Sequence, residues 1–215
     1  MTHSVAKYIL EGERRLRAGA TSGNSRTPAM AKLMAKKSLS ELRLFYRADP
    51  RLPQYEMAVP REWIDGNKHV NACYYLAAVK DPALAAHNEW DYGVEFRART
   101  GQSNFVLESQ VVHIRELLLG DRLLVTTRIL ELDDKRLHLL FEIINKREGY
   151  LAALAQYLTI HVTMGPPPKS CAIPDDLRSR LERIQAIHSQ VPMPPGADRL
   201  KRLGPPKRFF KEATR

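Results

Sequence analysis

The sequence predicts an α+β fold, with one antiparallel sheet wrapped around a central helix. Two observations carry that prediction. Residues from Asn71 to about His87 show helical apolar spacing, with Tyr74, Tyr75, Ala78, Val79 and Ala83 available for a buried face. Four strand-like runs then follow with no helix between them, at about 104–116, 121–132, 135–146 and 150–163. Leu119-Gly120-Asp121, Asp133-Asp134 and Glu148-Gly149 supply the turns, which makes the runs an antiparallel meander that packs on the helix.

Taken in order, residues 3–18 and 28–47 each read as a helix rich in Lys and Arg, separated by a Thr-Ser-Gly-Asn-Ser loop. Tyr55, Met57 and Val59 alternate over 53–60 as a first strand, which Pro60 ends. Asn71 suits an N-cap, and Pro82 is expected to kink the following helix or end it early. Gly165 and three prolines stop the last strand. A surface helix over Asp175 to Gln190 and a Pro-rich basic tail complete the chain. The resulting division is a basic helical extension over 1–54, a core domain over 55–164, and a C-terminal helix and tail over 165–215.

Composition narrows the class. A chain of 215 residues with 44% hydrophobic content can bury one substantial core. Cys73 and Cys171 stand far apart, in neither a disulfide framework nor a zinc spacing, so no metal is expected and a reducing compartment is the default. No run of about 18 apolar residues exists to span a membrane. The cytoplasm is the expected location. Mitochondrial import is the lesser alternative, because Glu11, Glu13 and Glu41 are out of place in a transit peptide. The net charge of +10 belongs to the flanks: the core carries 12 Lys+Arg against 15 Asp+Glu, the first segment 11 against 4 and the last 11 against 5. Basic flanks attract anions over about a Debye length of ~10 Å, but they form no specific nucleic-acid motif.

The chemistry concentrates in residues 63–76, Trp-Ile-Asp-Gly-Asn-Lys-His-Val-Asn-Ala-Cys-Tyr-Tyr-Leu. This stretch sets Asp65, His69 and Asn71 in a turn just before the helix. A helix start offers unpaired N–H groups to a developing oxyanion, and a carboxylate beside it can act as base or nucleophile on an activated carbonyl. The alternative is an Asx-turn in which Asp65 only bonds the backbone.

Asp65, His69, Val70, Asn71 and Tyr75 resemble, in register, the signature of hotdog-fold acyl-CoA thioesterases of the 4-hydroxybenzoyl-CoA thioesterase type. Lys68 stands where that signature has Gly, and Ala72 where it has a second Asn. Further pieces are similar to the betainyl-CoA thioesterases of carnitine degradation: Gly101-Gln102-Ser103 with Glu108, His113, Gly120-Asp121, Asp134-Lys135-Arg136-Leu137-His138, and Val191-Pro192-Met193-Pro194. The resemblance spans roughly residues 55–200. It implies a hotdog fold and hydrolysis of a CoA thioester, possible substrates being betainyl-CoA or another short acyl-CoA. It also implies a homodimer or homotetramer with its sites between subunits, and no cofactor.

On that resemblance Asp65 is the catalytic carboxylate, while His69 and Asn71 belong to the helix end that orients the carbonyl. Trp63, Tyr75, Glu108, Arg136 and His138 are the substrate-binding candidates. Trp63, Tyr74, Tyr75, Trp90 and Tyr92 could cage a quaternary ammonium group, with Glu108 as its counter-charge. Arg136 and His138 share a strand face and could meet CoA phosphates, with Arg97 and Arg99 as rivals. Asp81 is a second carboxylate on the helix. Glu108 and His113, five apart on one strand, should face opposite sides unless a bulge intervenes. Two alternatives stay open: a non-catalytic acyl-CoA-binding protein of the same fold, and a hydratase. The hydratase is disfavoured because His follows Asp65 by four residues, with no intervening Pro.

Overall fold

The computed structural model describes residues 46–201. The helices expected over 3–18 and 28–47, and the basic tail beyond 201, lie outside those residues apart from Tyr46 and Arg47, which are not helical. Five long strands form one antiparallel sheet in the order β1-β3-β4-β5-β2: β1 (Gln54–Ala58), β2 (Gln102–His113), β3 (Arg122–Leu132), β4 (Arg136–Asn145) and β5 (Tyr150–Thr163). A two-residue β6 (Lys169–Ser170) adds to β5. Among the described residues no helix is long and apolar enough to cross a membrane.

The expected single helix is divided into α1 (Tyr74–Ala77) and α2 (Lys80–Glu89), followed by α3 (Val94–Thr100). Pro82 accounts for the division. It has no N–H to give the Ala78 carbonyl, so the helix restarts and Pro82 falls in the first turn of α2, where the missing donor costs little. At the α2–α3 junction, Asn88 Oδ1 accepts the Val94 N–H at 2.9 Å, and a Cβ at Gly93 would lie 1.8 Å from that oxygen. Glycine is therefore required there.

Alternation along the strands divides the sheet into two faces. Val125, Leu139, Phe141, Ile143, Ala153 and Ala155 meet the helices, together with Ala78, Val79, Ala86 and Trp90. α4 (Asp175–His188) also packs on β3, burying Leu177 and Leu181. The opposite face carries a smaller core of Val112, Leu140, Ile144, Leu151 and Leu154, against which Tyr46, Ala48, Ala197 and Leu200 pack. That face also buries a charged pair. Arg128 donates to Glu142 at 3.2 Å and to the Val191 carbonyl at 2.9 Å, and the Tyr46 hydroxyl donates to Glu142 at 2.6 Å. The Val191–Pro194 segment is thus fastened across the outside of the sheet by the sequence-distant Arg128.

His188, at the end of α4, accepts the Ile129 N–H through Nδ1 at 3.0 Å, which requires an unprotonated Nδ1. Burial, then the nearby Arg128 charge, pushes His188 down from 6.5 to about 4. A histidine with a depressed folded pKa contributes stability that is complete above the unfolded value and is lost as pH falls through the folded one. Urea unfolding should therefore show stability declining from about pH 6.5 toward pH 4. His188→Asn should flatten that slope, and an unchanged slope would contradict the assignment.

Candidate active site

Residues 64–70 form a tight hairpin whose sequence explains its shape. Ile64 pairs with Val70, Asp65 N–H donates to the His69 carbonyl at 3.0 Å, and Lys68 N–H donates to the Asp65 carbonyl at 3.0 Å. Such a three-residue loop closes through one residue in the left-handed region. Lys68 occupies it, at φ 67°. This is the position where the resembling signature has Gly, so the substitution leaves the turn intact and costs backbone strain instead.

Asp65 Oδ1 accepts the Asn67 N–H at 2.8 Å, which makes the Asx-turn. Among the described residues its second oxygen has no hydrogen-bond donor, so the carboxylate both braces the turn and keeps one oxygen available. The hairpin is fixed to the rest of the domain by Val70 N–H donating to the Leu117 carbonyl and by the His69–Leu118 bridge. Asn71 N–H returns to the Trp63 carbonyl at 2.8 Å.

Asn71, expected as the N-cap, stands two residues before the Cys73 N-cap of α1: its Oδ1 accepts the Cys73 N–H at 3.1 Å and its carbonyl the Tyr74 N–H at 3.0 Å. Among the described residues, the Ala72 N–H between them has no acceptor. A free carboxylate oxygen and an open backbone donor thus stand on the same short segment. His69 does not pair with Asp65; its Nε2 lies 3.4 Å from Glu116 Oε2, with the ring partly exposed. Trp63 stacks on Tyr74 with ring centroids 5.5 Å apart. Tyr75 is buried edge-on to His113 at 4.5 Å, and burial raises its phenol pKa.

The remaining candidates lie elsewhere. A bulge between Val106 and Glu108 shifts the β2–β5 register, so that Glu108 opposes Leu158 on the outer face while His113 stays on the helix side. The two do face opposite ways, and Glu108 is remote from the turn aromatics it was expected to accompany. Arg136 is held by Asp133, its Nε donating at 2.8 Å. His138 is buried on the outer face, its Nε2 2.9 Å from Gln156 Oε1. Neither is brought together with Asp65. Asp81 is exposed beside Lys80. Trp90 and Tyr92 form a second aromatic group at the far end of α2, separate from Trp63, Tyr74 and Tyr75.

A cleft of about 350 Å³ opens between α2, α3 and strands β2 and β5. Its polar wall was not read from the sequence. His87 Nδ1 lies 2.6 Å from the Ala83 carbonyl and its Nε2 2.7 Å from Asn104 Nδ2, so the ring is neutral, donating through Nδ1 and accepting through Nε2; burial pushes its pKa down. Behind it the Tyr92 hydroxyl lies 2.7 Å from His161 Nδ1. The only sequence signal was polar Gln102 and Asn104 on a strand, which has the same pattern as a solvated edge.

With this geometry in view, the comparisons identify the class. Residues 59–181 match the family model of the thioesterase-like superfamily, and the chain belongs to that family. On this kinship the chain is an acyl-CoA thioester hydrolase. It is 31% identical to a betainyl-CoA thioesterase of Pseudomonas aeruginosa, over 72% of this chain and 96% of the relative. It is 33% identical to an L-carnitine dehydrogenase/betainyl-CoA thioesterase of Agrobacterium fabrum, over 69% of this chain but only 30% of that longer protein. Among solved structures, a Staphylococcus aureus hypothetical protein in complex with CoA aligns with a TM-score of 0.60 at 23% identity, over 72% of this chain and 96% of its own. A DHNA-CoA thioesterase from the same organism aligns with a TM-score of 0.56 at 15% identity, over 64% and 93%. These structural likenesses establish the hotdog fold.

Replacing Lys68 with Gly removes a left-handed strain of about 1–2 kcal/mol and adds about 0.5–1 kcal/mol of unfolded-state entropy. Lys68→Gly should therefore stabilise the domain by about 0.5–1 kcal/mol in denaturant titration. Destabilisation would show that the exposed Lys68 side chain contributes more than the strain costs.

Proposed function

We propose that the protein hydrolyses a short acyl-CoA in a site shared by two subunits, with Asp65 as the catalytic carboxylate. The observation that carries this reading is the free Asp65 oxygen on the same short segment as the open Ala72 N–H. Placed against a thioester, that oxygen either takes a proton from an attacking water or adds to the carbonyl carbon itself, in which case water then hydrolyses the mixed anhydride and restores the Asp65 carboxylate. The carbonyl oxygen takes up negative charge against the backbone donor, and the C–S bond breaks to release CoA thiolate, which is then protonated. Asn71 and the hairpin bonds hold the donor and the carboxylate in register. His69 is a positioning residue, paired to Glu116.

The shared site follows from an unusual strand edge. Among the described residues β2 pairs with β5 on one side only, and its Phe105, Val106 and Leu107 are 39%, 52% and 37% exposed. A long apolar free edge requires a cover. Antiparallel pairing of two β2 strands about a two-fold axis would supply one. It would also bring the Ser103–Val106 end of one strand, which lines the cleft, toward the His113 end of the other, beside Tyr75 and the Asp65 hairpin. Asp65 lies outside its own subunit's cleft and would serve that of the partner. The betainyl-CoA activity named for the Pseudomonas relative supplies the first acyl group to test, alongside other short acyl esters.

Asp65→Asn should lower kcat by about 10²–10⁴-fold in a free-thiol release assay while CoA binding persists. A parent protein that releases no thiol from any ester would refute the hydrolytic role. Val106→Lys on the free edge should convert the dimer to monomers by light scattering and abolish turnover. A monomeric parent, or an active monomeric variant, would exclude the shared site.

A further inference from the structure

We infer that the cleft under α2 takes a short aliphatic hydroxyacyl group, whose hydroxyl donates a hydrogen bond to Asn104 Oδ1; this rests on the hydrolytic reading above. The inference follows from where the protons of the cleft wall go. His87 Nδ1 donates to the Ala83 carbonyl at 2.6 Å, so its Nε2 is an acceptor, and Asn104 turns Nδ2 to it at 2.7 Å. The second proton of the same amide goes to the Tyr92 hydroxyl. Burial raises that phenol, and the Asn104 bond acts against the rise, as a donated bond does. The Tyr92 hydroxyl in turn lies 2.7 Å from His161 Nδ1. Both Asn104 N–H groups are therefore committed within the subunit, and the polar atom it keeps for a ligand is Oδ1, an acceptor.

The hydroxyls of the wall are spent in the same way. Thr159 donates to the Leu137 carbonyl and Tyr157 to the Leu76 carbonyl, each at 3.3 Å. These polar groups share the lining with the apolar Ala83, Val106 and Leu139. A short carbon chain matches the apolar part, and a proton donor carried on that chain matches the acceptors. The Asp65 carboxylate that the proposed subunit pairing brings to this cleft is an acceptor too, so it cannot supply the proton. The cationic donors of the lining, Lys80 and Arg97, are exposed, and Lys80 lies 3.7 Å from Asp81. An acyl group without the hydroxyl would cover Asn104 Oδ1 with carbon and leave it unpaired, which is the source of discrimination.

Butyryl-CoA and its 2- and 3-hydroxy derivatives, in both configurations, supply the test. At least one hydroxy ester should exceed butyryl-CoA in kcat/KM by about tenfold in the free-thiol assay. Asn104→Leu, close to asparagine in size, should bring that ratio down to about one. Comparing the ratio between the two proteins cancels the intrinsic reactivity of the esters, and a loss of packing alone would slow both esters together. No preference for any hydroxy ester, or a preference kept by the variant, would overturn the inference. Calorimetry on the unsubstituted protein gives an answer independent of how the variant folds. S-(2-hydroxybutyl)-CoA or S-(3-hydroxybutyl)-CoA should bind about tenfold tighter than S-butyl-CoA, and the matching ketone, which keeps the oxygen but not its proton, should not. A ketone that binds as tightly as the alcohol removes donor recognition. Preferred binding of the alcohol without turnover of any ester supports the acyl selection and removes the hydrolase; thiol release with no preference for a hydroxyl leaves the hydrolase and removes the inference.

Discussion

Ala78, Val79 and Ala86 are all but completely buried where α1 and α2 lie in the hollow of the sheet, and their small side chains let the helix backbone approach the strands closely. This seating fixes the other parts of the molecule. It sets where α1 begins, and hence where the Ala72 N–H lies. It sets the distance between the 64–70 hairpin and Leu117–Leu118, to which the hairpin is bonded. It also leaves the space between α2, α3 and the sheet that becomes the cleft. A bulkier residue at Val79 would have to lift the helix from the sheet, and overpacking of a dense core typically costs about 1–3 kcal/mol.

β2 serves three purposes through the two-residue period of a strand and one irregularity. Its inward Asn104 and Val106 line the cleft, and its inward His113 meets Tyr75. Its outer edge is apolar at Phe105–Leu107 and, among the described residues, pairs with no second strand. The bulge between Val106 and Glu108 exchanges the faces, so the one acidic side chain of the strand leaves the cleft side. The lining of the cleft and the proposed subunit pairing thereby depend on the same twelve residues.

Much of this was legible in the sequence, for identifiable reasons. The meander was readable because each turn carries Gly or a pair of acids, and strand limits fall within a few residues of those expected. The turn placement of Asp65 and Asn71 was readable because a carboxylate in a turn before an apolar helix is a local pattern. Three features were not local. The division at Pro82 was expected only as a kink or an early end, since sequence does not say whether a helix restarts. The face of Glu108 depends on a bulge that leaves no compositional mark. Arg136 and His138 shared a face as expected, but it is the outer one, where Asp133 and Gln156 engage them; alternation gives the pairing of faces and not which face is inside. The buried Arg128–Glu142 pair and the strap it holds join positions far apart in the chain, beyond any spacing rule.

The central claim is that the carboxylate of one subunit acts on a thioester held in the cleft of the other, and subunit mixing tests it most directly. Asp65→Asn supplies one inactive parent, and Asn104→Trp, which fills the cleft, the other. When the two are unfolded together in equal amounts and refolded, half the dimers combine both variants, and each such dimer would contain one site with neither lesion. The account predicts recovery of about a quarter of the turnover of the unsubstituted protein. No recovery, with mixed dimers confirmed by mass, would place both residues in the same subunit's site and contradict it.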